Sequence, residues 1–97
     1  MIKIEIKKDL IKISGHAGYD DYGKDIVCAS VSSIIYTTVN GILNIKENAI
    51  KFTDNDTMLI EVISNDEITK KLLDNMINLL TDLSIQYPEN LKISKGE

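Results

Sequence analysis

The sequence predicts an α/β domain of the α+β kind: a single mixed sheet packed against two helices in the order β-β-α-β-β-α-β. Three observations carry that expectation. The chain opens on two runs that alternate apolar and polar residues, the period of a half-buried strand. Two long stretches place apolar residues at helical spacing, and between them two short apolar runs flank Asp54-Asn55-Asp56-Thr57, the pattern of a hairpin. At 97 residues there is material for one modest core and not for two, so one domain over residues 1–97 is expected.

In residues 2–7, Ile2, Ile4 and Ile6 alternate with Lys3, Glu5 and Lys7, which predicts a first strand with one face in the core. Lys8 and Asp9 make a tight polar break. Alternation resumes over 10–16, with Ile11, Ile13 and Gly15 on one face and Lys12, Ser14 and His16 on the other; parity puts His16 on the more polar face at the strand's exit. Residues 17–24 show no apolar period and hold Gly18 and Gly23, the mark of a loop. Asp25 suits the N-cap of a helix from Ile26 to about Leu43. That helix is apolar around much of its circumference, so it is either central to the fold or part of an oligomer interface. Strands over 48–53 and 58–63 follow. Asn65 and Asp66 then open a second helix to about Gln86, with Ile68, Leu72, Met76, Leu79, Leu80 and Leu83 as its expected core stripe. Each such side chain contributes about 1.5–3 kcal/mol when buried. Pro88 stops the helix, Leu91 and Ile93 suit a last short strand, and Lys95-Gly96-Glu97 reads as a frayed tail.

Composition narrows the function classes. A chain 43% hydrophobic and 27% charged is an ordinary globular one. Met1 runs straight into the first strand without a signal-peptide pattern, and no stretch approaches the roughly 20 apolar residues of a membrane span, so a cytoplasmic protein without a membrane partner is expected. Its one cysteine cannot form an intramolecular disulfide, which fits a reducing compartment. Eleven basic against fifteen acidic residues give a net charge of −4, the reverse of what phosphate contacts favour. Direct nucleic-acid binding is therefore disfavoured and a basic protein or peptide partner favoured.

The chemistry concentrates between the only histidine, His16, and the only cysteine, Cys28, twelve positions on. A thiol and an imidazole suffice for cysteine-nucleophile catalysis, since the imidazole takes the thiol proton and later returns it to a leaving group. With Asp25 as N-cap, Cys28 would lie in the first helical turn, where unpaired N–H groups and the positive end of the dipole favour a thiolate. Cysteine is also a common buried small hydrophobe, and a lone histidine is more often a hydrogen-bonded structural residue than a catalyst. The placement of the pair, at a strand end and a helix start with a glycine-containing loop between, favours the catalytic reading. Asp25 would rigidify the turn as a cap while its charge opposes thiolate formation. Ser32, one turn after Cys28 on the same helical face, would orient the thiol, touch substrate, or only satisfy a backbone carbonyl.

Gly18, Gly23 and Lys24 nearly fit a phosphate-binding G-x-x-x-x-G-K loop, but Asp25 stands where Ser or Thr would meet magnesium, and Asp20 and Asp21 would put negative charge inside the cradle. Nucleotide binding is rejected. Asp54 and Asp56 resemble the start of a calcium loop, yet Leu59 replaces its glycine and Asn65 its final glutamate. His16, Asp20, Asp21 and Cys28 lack any recognised zinc spacing, so no metal and no cofactor is expected.

The motif Gly15-His16-Ala17-Gly18-Tyr19, then Tyr22-Gly23-Lys24-Asp25-Ile26-Val27-Cys28-Ala29-Ser30-Val31-Ser32 and Thr38-Val39-Asn40-Gly41, resembles the bacterial ribosomal-processing cysteine protease (Prp) family. The likeness is dense in the first half and rests on element order and length in the second. It implies a small α/β homodimer that removes an N-terminal extension from a large-subunit ribosomal protein. Carried over, Cys28 is the nucleophile and His16 its general base and acid, while Gly15, Asp25 and Ser32 fall on other motif positions. On that reading the 17–24 loop, hinged by Gly18 and Gly23, closes over an extended peptide, and Asp20 and Asp21 attract its basic residues. The competing classes are a non-catalytic ribosome-associated protein-binding module, in which Cys28 is core, and a thiol redox sensor, for which the chain has no resolving cysteine.

Overall fold

Ile2, Ile4 and Ile6 on one side, and Ile11 and Ile13 on the next run, form an antiparallel hairpin in the computed structural model, which describes residues 1–15 and 22–96. The strands are β1 (Ile2–Lys7) and β2 (Leu10–Ser14), followed by α1 (Tyr22–Ile45), β3 (Ile50–Asp54), β4 (Met58–Val62), α2 (Glu67–Gln86) and β5 (Leu91–Lys95). Among the described residues this is the expected order. The Lys8-Asp9 connection puts Asp9 at φ 61, a left-handed conformation that a short polar side chain tolerates.

The five strands form one mixed sheet in the order β3-β4-β2-β1-β5, antiparallel except for the β1–β5 pair. Register decides the layers. Ile4 lies opposite Ile13 and Ile93, Ile11 opposite Ile60, and Phe52 opposite Ile60, so a single face of the sheet is apolar across all five strands. Both helices pack on that face. Helix α1 presents Val27, Val31, Ile35, Val39 and Ile42, all buried, at spacings of three and four residues. Tyr36 at the half-exposed edge of α1 meets Phe52 of β3 edge-to-face, centroids 5.6 Å apart and planes at 85°. The stretch Ile26–Ile45 is long and apolar enough by composition to cross a membrane, contrary to the expectation that no stretch approached it; its buried stripe is accounted for by this packing.

The structure departs from the sequence reading at the start of α1, in the buried stripe of α2 and at the tail. Helix α1 starts at Tyr22, so Asp25 is the fourth helical residue and not the N-cap. A glycine inside a helix costs about 1 kcal/mol, and adding a turn to an already nucleated helix offsets it, so Gly23 does not stop the extension. In α2 the buried residues are Thr69, Leu73, Met76 and Leu80, while Ile68 and Leu79 of the expected stripe are 57% and 45% exposed. The apolar residues of α2 cover two faces, and only contact with α1 and the sheet fixes which one is inside. Nor is the tail frayed at Lys95 and Gly96: Lys95 pairs with Ile6 in β5, and the Gly96 amide donates to the Ile6 carbonyl at 2.7 Å.

Asp66 caps α2 as expected, its Oδ1 accepting from the Thr69 amide at 2.7 Å. Its Oδ2 accepts from the Ser64 hydroxyl and from Lys46 Nζ at 3.2 Å, so the cap also ties α2 to the residue that follows α1. The Ser64 hydrogen bond first, then the Thr69 amide, hold the Asp66 carboxyl well below the usual carboxylate range. A depressed folded-state pKa means the cap's contribution is complete at neutral pH and falls away as acid protonates the carboxylate. Asp66→Ala is therefore expected to lower Tm at pH 7, with the gap from the unmodified protein closing below about pH 4. Thermal unfolding at several pH values reads this; a gap that widens in acid would contradict it.

Candidate active site

Chain geometry gathers several elements at one end of the sheet. Because β2 runs antiparallel to both β1 and β4, its exit lies beside the start of β1 and the start of β4: Ser14 pairs with Lys3, and Ile13 with Met58. The β3–β4 turn, Asn55 to Thr57, is therefore at the same end as Gly15. The N-terminal half of α1 crosses there too. Between them lies a cavity of about 300 Å³, lined by Cys28, Ser32 and Tyr36 of α1, Gly15, Ile2 and Ile13 of the hairpin, and Asp54, Asn55, Asp56 and Met58 of the β3–β4 turn.

Cys28 is a free, half-buried thiol that packs against the core on one side and lines the cavity on the other. Ser32 follows one turn later and Tyr36 a turn after that, so one stripe of α1 supplies a thiol, a hydroxyl and an aromatic ring. Gly15 has φ +79, and a Cβ there would collide with the carbonyl oxygen of Met1, so glycine is required on two counts: backbone conformation and close approach of β1. The floor is apolar and the rim carries the exposed carboxylates of Asp54 and Asp56.

Of the residues singled out from sequence, Cys28, Ser32 and Gly15 are brought together. His16, Gly18, Asp20 and Asp21 lie outside the described residues. Gly23 and Asp25 are within the first turn of α1. That start moves Cys28 to the seventh helical position, past the four N–H groups left unpaired at a helix start. The expectation that Cys28 sits in the first turn is thus corrected. Dipole stabilisation fades within that turn, so a thiolate here has to draw on another group.

Sequence reading missed Tyr36, Asp54, Asn55 and Asp56. The four-residue spacing from Cys28 through Ser32 extends to Tyr36 and could have found it. Asp54–Asp56 carry no such signal, because only the β2–β4 pairing brings their turn to the thiol. Among the described residues no cluster of histidine, cysteine or carboxylates is arranged to hold a metal ion.

Residues 1–92 match the family model of the cysteine protease Prp. The ribosomal processing cysteine protease Prp of Mycoplasma genitalium is 34% identical over 105 residues, covering 98% of this chain and 96% of that protein. The Staphylococcus aureus protein of the same name is 29% identical over 86 residues, covering 84% and 81%. Crystal structures of S. aureus Prp superpose with a TM-score of 0.90 for the complex with a substrate peptide and 0.88 for that with a covalently linked product peptide, each covering 99% of this chain and 100% of that one at 24% identity. A Streptococcus mutans protein gives 0.83 at 26% identity, covering 97% and 90%. The cavity thiol at Cys28, the Gly15-His16 motif and the match over residues 1–92 agree, and the chain belongs to the Prp family of cysteine proteases.

Proposed function

We propose that the protein is an endopeptidase that removes the N-terminal extension of a large-subunit ribosomal protein precursor, with Cys28 as nucleophile and His16 as general base and acid. The observation that carries this reading is the shared cavity of Cys28 and Gly15, since Gly15 is the residue from which the chain continues into His16. His16 takes the thiol proton and the sulfur attacks the scissile carbonyl. Collapse of the tetrahedral adduct expels the amine, which receives the proton from His16, and water then hydrolyses the thioester. An imidazolium beside the sulfur supplies the charge stabilisation that the helix terminus is too distant to give. Ser32 lines the same cavity one turn after Cys28, and its hydroxyl would orient the thiol or meet the peptide. Asp54 and Asp56 suit a substrate with basic side chains, a role assigned from sequence to Asp20 and Asp21.

Incubating the purified chain with an N-terminally extended ribosomal precursor tests the reading. A product shortened at its N-terminus, seen by intact mass, is expected; a precursor bound and left uncut would show a binding module instead. A cytoplasmic location goes with such a substrate. We further infer a homodimer, supported by the exposed Ile68, Leu79 and Ile85 of α2 and Ile26 of α1. Light scattering should give twice the chain mass, and a monomer mass would contradict it.

A further inference from the structure

The sheet has a second face that the helices leave open. Register places Lys3 beside Lys92 and opposite Ser14, Lys12 opposite Glu5, Lys51 opposite Glu61, and Lys7 opposite Leu10, all on the side away from the core. Lys3, Lys7, Lys51 and Lys92 are exposed and Lys12 is partly so. Five lysines against Glu5 and Glu61 give this face a net +3 in a chain of −4, so the rest of the molecule carries −7. The charges are segregated, and net charge alone misjudges the partner.

We propose that this open face binds the phosphodiester backbone of a nucleic acid without selecting bases. Lys3 and Lys92 stand side by side on adjacent strands, about 4.8 Å apart at the backbone, an arrangement that repels until an anion lies between them. Among the described residues the ion pairs are Lys46–Asp66 and Lys71–Glu67, so none of the five face lysines is neutralised in one. The hydroxyls of Ser14, Thr53 and Ser94 share the face and add donors for phosphate oxygens. Among the described residues the face carries no aromatic residue to stack on a base, and the chain has lysines but no arginine, so its cations are point charges without the planar fork that reads guanine. Its exposed large hydrophobic residues among those described are Met1 and Ile63, at opposite ends of the sheet beyond β1 and β4, too separated to form the continuous apolar surface that would enter a membrane.

The test is fluorescence anisotropy of the full chain with a labelled single-stranded RNA of mixed sequence. Binding should be saturable at about 50 mM salt, similar for RNAs of different sequence, and weaker by roughly 10²-fold at about 200 mM if five phosphates are engaged. The triple variant K3E/K12E/K92E should bind at least about tenfold more weakly while still cleaving peptide, since none of these residues lines the Cys28 cavity. Should the triple variant fold poorly, the pair Lys3→Gln and Lys92→Gln reads the same claim as a salt dependence shallower by about one per lysine removed. No binding at low salt, undiminished binding by a folded variant, strong base preference, or capture by phosphatidylserine vesicles without capture by RNA would each overturn the proposal.

Discussion

Cys28→Ala loses cleavage of the extended precursor by on the order of 10⁴-fold or more, because among the described residues Cys28 is the one thiol lining the cavity and the Ser32 hydroxyl beside it is a far weaker nucleophile. The fold survives. Cys28 is only half buried, at the border between core and cavity, and trimming one sulfur there costs less than about 1 kcal/mol. Precursor cleavage and thermal unfolding measured on the same preparation separate the two effects. An active Cys28→Ala protein would remove the nucleophile from the account, and an unfolded one would make Cys28 a structural residue.

Gly15→Ala damages both stability and activity. A left-handed residue with a side chain costs about 1–3 kcal/mol, and here the new Cβ meets the Met1 carbonyl oxygen, an atom of the peptide whose Ile2 amide donates to the Asn90 carbonyl at 2.9 Å. Relief requires the start of β1 or the exit of β2 to move, and both line the cavity. Displacing a catalytic group by about 1 Å costs on the order of 10²-fold, so kcat/KM should fall by at least that, with Tm down by roughly 4–8 °C for each kcal/mol. Gly41→Ala is the control: a Cβ at that helical position meets nothing within 4 Å, and the change should raise stability by about 1 kcal/mol. A Gly15→Ala protein that matches the unmodified one in Tm and kcat/KM would show that neither the φ nor the contact matters.

The sequence was informative wherever local period and local chemistry coincide. Ile2, Ile4 and Ile6 define the inward face of β1 with no tertiary information, and Asp66 caps α2 because its carboxylate reaches an amide three residues on. It was less informative wherever a choice depends on distant partners. The two apolar faces of α2 are equivalent until α1 and the sheet choose one, which is why Leu73 is inside and Leu79 outside. Likewise, the start of α1 at Tyr22 follows from helix propagation past a glycine, against the local signal of Asp25. For the site, the helical spacing of Cys28 and Ser32 was readable, whereas Asp54 and Asp56 join them only through the Ile13–Met58 register. The lysines of the open face were visible as an alternation in β1, but their joint patch depends on the parallel β1–β5 pairing.

The most direct measurement of the central claim is the intact mass of the protein during a single turnover, quenched in acid to preserve a thioester. A transient species heavier by the N-terminal extension peptide less one water is expected, with the adduct mapped to Cys28, appearing together with the shortened ribosomal protein and lost as the free extension accumulates. Cleavage with no adduct at Cys28 under conditions where acylation outruns hydrolysis, or an adduct on any other residue, would contradict it.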